Sequence, residues 1–302
     1  VPVWAVRIGT RGSALALWQA RWVGERLRRE LPDRVIELVT VTTRGDVHTG
    51  AFTGAPGEIG FFTSGIEAAL REGRIDVAVH SLKDLPASRD DHLPVVAVPL
   101  RDDPADVLVS RGGEALDALP AGARVGTSSP RRTCLILARR PDLVVEPIRG
   151  NVDTRVAKIR AGDFDATVLA AAGLARLGLA DVAVERFDPA DFPPAPGQGA
   201  LAVQAGEDDA ELLAAVRRID DSRARATSEA ERLCLEALGG GCARPIGAHA
   251  RFDGDRIVLT AVVGTLDGSK LVRAERSGTT ADDLGRTVAE ELLRLGADTL
   301  LA

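Results

Sequence analysis

Cysteine is scarce in this sequence. Cys134, Cys234 and Cys242 are the only three, and no two are spaced as a CxxC pair. That number argues against a disulfide framework. The four histidines, His48, His80, His92 and His249, form no zinc-like cluster with the cysteines, so no metal site is read. Long apolar runs are also missing. The longest stretches are about a strand's length, against the roughly 18 residues that mark a membrane span. Positive charge is not in excess: 38 Lys and Arg face 44 Asp and Glu, a net charge of −6, which excludes bulk attraction to nucleic acid. Any basic site must be local. There is no Gly-x-x-x-x-Gly-Lys-Ser/Thr loop, which counts against a P-loop nucleotide site. The opening Val1-Pro2-Val3-Trp4-Ala5-Val6 is too short for the apolar part of a signal peptide, so the expected location is the cytoplasm. Methionine and tyrosine are absent altogether, and nothing in the sequence explains it.

The most informative feature present is a repeat in outline. Arg7-Ile8-Gly9-Thr10-Arg11-Gly12-Ser13 is echoed by Arg124-Val125-Gly126-Thr127-Ser128-Ser129-Pro130-Arg131-Arg132. Arg44-Gly45-Asp46-Val47 is echoed by Arg149-Gly150-Asn151-Val152, and Gly73-Arg74-Ile75-Asp76-Val77 by Gly162-Asp163-Phe164-Asp165-Ala166. Three weak signals in the same order point to two lobes of similar topology, each presenting basic residues on comparable loops. A cleft between such lobes suits a ligand with several negative charges. A chain of 302 residues has room for two domains, or three.

Hydrophobic periodicity supports this division. A short strand at residues 6–8 is followed by a helix at 14–31 and a β-branched strand at 35–43. A helix at 62–72 ends at Gly73 and leads into a buried strand at 75–79. The alternation restarts at Arg124, with strands at 143–148 and 166–169, and indicates largely parallel sheets. Residues 92–106 and the proline-rich 187–199 read as two crossings between the lobes. Residues 200–204 read as a strand returning to the first lobe. Near Ser222 a third unit begins: Ser228 and Glu231 have capping-box spacing for a helix running to Leu238. Three strands at 246–252, 256–263 and 270–276 and a helix at 281–295 complete a small α+β domain.

Each Gly-Thr turn lies between a strand and a helix, where backbone N–H groups and the helix dipole favour an anion. Arg11 and Ser13 at one turn, and Thr127, Ser128, Ser129, Arg131 and Arg132 at the other, add side-chain donors. Guanidinium groups grip carboxylates or phosphates through paired hydrogen bonds. For one turn alone, ordinary capping beside surface arginines is the plainer reading. With Arg149, Arg155 and Arg176 added, the two turns point to an anion site. Lys83 and Asp84 follow the buried strand, at the strand end that faces a ligand crevice in open α/β sheets. A carboxylate there can stabilise a cationic intermediate and move protons. Spacing alone leaves equally open a helix-start acid beside a solvated lysine. His80 reads as a structural strand-end residue. Cys242, after three glycines, is placed as an accessible nucleophile or attachment point, whereas Cys134 and Cys234 sit at apolar helical positions.

These segments resemble the porphobilinogen deaminase (hydroxymethylbilane synthase) family over nearly the whole chain. The resemblance is carried by Arg7 to Arg11, Leu15-Ala16-Leu17-Trp18-Gln19-Ala20, Thr43 to Asp46 and Ala78-Val79-His80-Ser81-Leu82-Lys83-Asp84-Leu85-Pro86. It continues through Val125 to Arg132, the Arg149-Gly150-Asn151-Val152 core, Ala172 to Gly178, Pro196-Gly197-Gln198-Gly199-Ala200 and Gly240-Gly241-Cys242. It implies two similar periplasmic-binding-protein-like α/β lobes joined by two crossing hinge segments, plus a small C-terminal α+β domain. The expected divisions are 1–98 with 199–219, then 99–198, then 220–302, which carries the cofactor cysteine. It implies a monomeric, cytoplasmic transferase of tetrapyrrole (haem) biosynthesis, without nucleic-acid or membrane partners. Four porphobilinogen molecules are joined head to tail with loss of ammonia, and water releases hydroxymethylbilane. A dipyrromethane cofactor is joined by a thioether to the matching Cys242.

The same resemblance assigns roles. Asp84 matches the catalytic carboxylate. Lys83, Ser81, Thr127, Ser129, Arg131, Arg132, Arg149 and Gly150 match cofactor-binding positions. Arg11, Ser13, Gln19, Phe62, Arg149, Arg155, Arg176 and Gln198 match substrate-binding positions. One departure stands out. The family's Gly-Gly-Lys-Gly-Leu-Phe loop reads here Gly57-Glu58-Ile59-Gly60-Phe61-Phe62, with Ile59 at the lysine position and Ala55 also uncharged, so the lid expected there is less basic. Arg244 stands where the family commonly has an apolar residue. Two other readings compete: a non-catalytic two-lobed binder of a small anion, in which an exposed Cys242 has no role, and a ligand-sensing regulator, for which no DNA-binding segment is found.

Overall fold

The computed structural model describes residues 5–43, 63–87, 92–206, 208–241 and 244–301. The chain forms two compact units, Val1–Asp102 with Ala200–Arg225, and Asp103–Gly199 with Ala226–Ala302.

In the first unit a five-stranded sheet runs in the order β2-β1-β3-β10-β4. Its strands are β1 (Val6–Thr10), β2 (Ile36–Thr40), β3 (Val77–Ser81), β4 (Val95–Ala97) and β10 (Leu201–Ala205). β1 pairs in parallel with β2 and β3, while β10 is antiparallel to β3, with Val203 opposite Val79. The central strands β3 and β10 are buried almost throughout, and their buried polar residues His80 and Gln204 pair with each other. The helix Ala14–Glu30 covers the sheet with Ala20, Val23 and Leu27, at helical spacing, in one core with Ile8 and Val203.

The second unit repeats this plan. Its five-stranded sheet has the order β7-β6-β8-β5-β9, built from β5 (Asp106–Ser110), β6 (Arg124–Gly126), β7 (Val144–Glu146), β8 (Ala166–Ala170) and β9 (Glu185–Arg186). β6 pairs in parallel with β7 and β8, and β5 is antiparallel to β8. β6 thus occupies the place of β1, and β5 the place of β10. The antiparallel strand of each sheet is the one that follows a crossing between units. The echoes that follow β1 and β6, and those at Gly73 and Gly162 before β3 and β8, are therefore structurally equivalent.

The second unit also contains an antiparallel sheet of β11 (Ile246–Asp253), β12 (Arg256–Gly264) and β13 (Leu271–Gly278). Alternate β12 residues Leu259, Ala261 and Val263 share a core with Leu284, Val288 and Leu292 of the helix Ala281–Arg294. Val262, on the opposite face, enters the lobe core with Leu135 and Ile136. The β12–β13 turn presses on the helix Pro130–Arg139. A Cβ at Gly268 (φ +69°) would lie 2.3 Å from the Ala138 nitrogen, so only glycine fits there.

One expectation is corrected. Ser228 and Glu231 do not open a helix. They lie inside the helix Ser222–Ala237, which starts six residues earlier. Asp221 caps it instead, its side chain accepting the Ala224 amide hydrogen at 2.7 Å. Glu231 is wholly buried and accepts the amide hydrogens of Gly197 and Ala250. Contacts remote in sequence have taken the residue that local spacing assigned to a cap. The segment at 92–106 is likewise more structured than a connection, because it contains β4 and the first residue of β5.

Candidate functional site

In the first unit the site grows from the carboxyl ends of β1 and β3. β1 runs into Arg11 and Gly12, and the Ser13 hydroxyl caps the next helix by accepting the Ala16 amide hydrogen at 3.3 Å. β3 ends at Ser81 and turns at once into a single helical turn, Leu82–Asp84, held where the Leu82 amide donates to the Ala200 carbonyl. Gln19 ties the helix to this strand end, its Nε2 donating to the Ser81 Oγ at 3.0 Å. Arg11, Ser13, Gln19, Thr63, His80, Ser81 and Asp84 thereby line one open recess. The strand-end pattern in the sequence points to Ser81 and Asp84, the Gly-Thr turn to Arg11 and Ser13, and the family resemblance to Gln19; Thr63 carries no such signal.

Burial raises the Asp84 carboxyl above the ordinary carboxylate value, and the positive charges of Lys83 and Arg11 oppose that rise. Asp84 is thus a desolvated carboxylate facing two cations. Thr63 Oγ1 is buried without a hydrogen-bond partner among the described residues, a donor and acceptor open to whatever fills the recess. His80 is different. Burial lowers its pKa to about 4, so the ring is neutral near pH 7. Gln204 Nε2 donates to the Leu93 carbonyl, which turns its Oε1 toward His80 Nε2 at 3.1 Å. The proton therefore sits on Nε2 and serves the fold.

In the second unit the equivalent turn follows β6. Thr127 Oγ1 accepts the Ser129 amide hydrogen at 3.2 Å, and Ser129 Oγ accepts that of Arg132 at 3.4 Å, capping the helix Pro130–Arg139. Arg131 and Arg132, in its first turn, are buried and converge on Asp106, which has no exposed surface. The pair holds the Asp106 carboxyl far below the usual range, against the opposing effect of burial. Gly150, at φ +109°, makes the turn that precedes the helix Val152–Ala161, and Arg155 Nε donates to its carbonyl at 2.9 Å. Burial and the charges of Arg132 and Arg149 lower Arg155 to about 10. These guanidinium groups therefore concentrate positive charge. Arg176 is buried and donates to the Gly199 carbonyl at 2.7 Å. Gln198, wholly buried, donates from Nε2 to Asp106 and to the Pro104 carbonyl. Cys242, Phe62, Ile59, Ala55 and the Arg44-Gly45-Asp46 motif lie outside the described residues. Cys134 and Cys234 are buried, and burial pushes their thiols up to about 11 and about 12.

Fold and site define a two-lobed α/β protein whose strand ends carry clustered cationic and hydroxyl side chains, in the first unit beside a half-buried carboxylate. The family described as "Porphobilinogen deaminase, dipyromethane cofactor binding domain" matches residues 6–214, and "Porphobilinogen deaminase, C-terminal domain" matches residues 225–294. A porphobilinogen deaminase of Desulforudis audaxviator is 49% identical over 299 residues, covering 98% of this chain and 97% of that protein. One from Roseiflexus castenholzii is 46% identical over 300 residues, covering 99% of each. Among solved structures, a TRAP periplasmic solute binding protein from Desulfovibrio salexigens aligns with a TM-score of 0.43 and 9% identity, covering 72% of each chain. The chain belongs to the porphobilinogen deaminase family.

The family's dipyrromethane bears carboxylate side chains, and the second unit fits such a group. Arg131 Nε is buried with no hydrogen-bond partner among the described residues, and two guanidiniums share the single charge of Asp106. Positive charge is left over for an anion. No helix among the described residues is long and apolar enough to cross a membrane.

Proposed function

We propose that this chain joins four porphobilinogen molecules head to tail into hydroxymethylbilane with release of ammonia, acting as a transferase with a dipyrromethane primer on Cys242. The observation that carries the reading is Asp84: a desolvated carboxylate at the end of β3, in a recess with Arg11 and beside Lys83. When porphobilinogen with its aminomethyl group protonated loses ammonia, the electron pair of the breaking C–N bond leaves with nitrogen, and the positive charge passes from the ammonium to the pyrrole. A fixed carboxylate stabilises that cation more than the neutral ring, and low local polarity strengthens the effect. Arg11, Ser13 and Gln19 hold and orient the substrate's own carboxylates around Asp84, while Ser81 and Lys83, beside it, contact the primer. Phe62 and Gln198 belong to the same substrate-binding set.

Arg131, Arg132, Arg149, Arg155 and Arg176, with Thr127, Ser129 and Gly150, would hold the carboxylates of the primer and the growing chain. When bound, dipyrromethane supplies the nucleophilic pyrrole carbon at which the chain extends. The C-terminal sheet and its helices, with a core of their own, support a third domain at 220–302 that carries Cys242. A monomer in the cytoplasm completes the reading.

The test is direct. Purified protein whose intact mass exceeds the sequence by one dipyrromethane is mixed with porphobilinogen, and ammonia and hydroxymethylbilane are measured. Consumption with stoichiometric ammonia supports the function. Binding without turnover by mass-loaded protein would overturn it in favour of a non-catalytic binder.

A further inference from the structure

We propose that Asp106 is the positioning residue of the second unit's anion site, holding Arg131 and Arg132 in the orientation that receives a ligand carboxylate. The inference rests on the reading that these arginines bind the primer's carboxylates.

Asp106 is the first residue of β5, and its carboxylate takes four donors from three residues. Oδ2 accepts from Arg131 Nη1 at 2.7 Å. Oδ1 accepts from Arg132 Nη2 at 2.6 Å, from Arg132 Nε at 3.2 Å and from Gln198 Nε2 at 2.9 Å. Two neighbouring guanidiniums in one helical turn repel, and long arginine side chains have many rotamers. A buried carboxylate between them removes both problems before any ligand arrives, so the ordering cost is met on folding. Gln198 in turn pins Asp106, because its Nε2 also lies within reach of the Pro104 and Ala105 carbonyls.

The arrangement is unsaturated on the arginine side. Arg131 Nη1 is occupied by Asp106 and the Pro193 carbonyl, yet its Nε is buried with no hydrogen-bond partner among the described residues. A saturated structural ion pair would not leave a charged donor buried and unmet. One negative charge against two positive ones also leaves a net cation for the ligand. Asp106 touches no substrate in this scheme; it acts through the arginines.

The experiment uses the full chain. Asp106→Asn, Arg132→Gln and the double variant are prepared as apo-protein and incubated with porphobilinogen, and intact mass follows the gain of cofactor per folded molecule. Each single variant is expected to load about tenfold more slowly, as loss of an outer partner of a ligating group commonly costs that much or more. The double variant is expected to load no more slowly than the worse single one. If folded Asp106→Asn loads at the parent rate and only its melting temperature falls, the role is structural and the proposal is wrong. Multiplying losses in the double variant would also overturn it. If Arg132→Gln itself loads normally, the underlying reading of the arginines fails instead. Should Asp106→Asn not fold, Gln198→Met keeps both ion pairs while removing one of the three donors to Oδ1. A rate about threefold below the parent supports the proposal, since one buried hydrogen bond is worth about that or more. The parent rate overturns it.

Discussion

The buried carboxylate of Glu231 accepts the amide hydrogen of Gly197 at 2.7 Å. Its other oxygen accepts that of Ala250 at 2.8 Å. One side chain of the helix Ser222–Ala237 thus fastens both the proline-rich segment and β11. Glu231→Gln keeps the shape but turns an NH2 group toward one of these amide donors. It is expected to cost about 2 kcal/mol, as for an unmet buried hydrogen bond to a charged group. Urea unfolding checks this, and an unchanged midpoint would contradict the role given to Glu231.

Asp84→Asn retains size and hydrogen bonding while removing the charge. Porphobilinogen should still bind, and turnover should fall on the order of a hundredfold or more, as for other electrostatic groups aimed at a charged transition state. Rates within a few-fold of the parent, measured on cofactor-loaded protein, would transfer the catalytic role to another acid, with Asp46 next.

Cys242→Ser should give protein of sequence mass and no activity. Selectivity follows from acidity: with Cys134 raised to about 11 and Cys234 to about 12, both stay thiols near pH 8. Alkylation of apo-protein at that pH, mapped by peptide mass, should therefore mark Cys242 first. Extra mass persisting on Cys242→Ser, or found on Cys134 or Cys234, would rule out the assignment.

Arg149, exposed after β7, should matter for ligand and little for folding. Arg149→Leu is expected to slow cofactor assembly or chain elongation with a nearly unchanged melting temperature. A large drop in melting temperature together with normal turnover of the folded fraction would assign Arg149 to the fold.

His80 makes stability depend on pH. Its folded pKa, about 4, lies below the unfolded value of 6.5. Between those values the unfolded chain binds more protons, so stability declines as pH falls from 6.5 toward 4 and the decline stops below 4. The full effect is roughly 3 kcal/mol. His80→Gln should flatten the urea midpoint across this window relative to the parent; an identical slope would exclude His80 as the source.

The paired turns were legible in sequence because they depend on local chemistry. A β-branched strand, a glycine and a hydroxyl cap favour a strand–turn–helix through local interactions, so the equivalence of Thr10 and Thr127 is visible in the sequence itself. The sheets follow from the same alternation, and motifs spread over nearly the whole chain identify the family. The roles of Asp106, Glu231 and Thr63 were not legible. Asp106 reads as the end of an extended connection, and Glu231 as half of a capping box that the helix beginning at Ser222 displaces. Their partners lie far along the chain: Arg131 and Gln198 for Asp106, Gly197 and Ala250 for Glu231. Sequence alone determined the repeating α/β units, the family and the residue types at the strand ends. Only tertiary structure decided which charges are buried together, because desolvation and pairing depend on what chain folding brings within about 3 Å, whatever the separation in sequence.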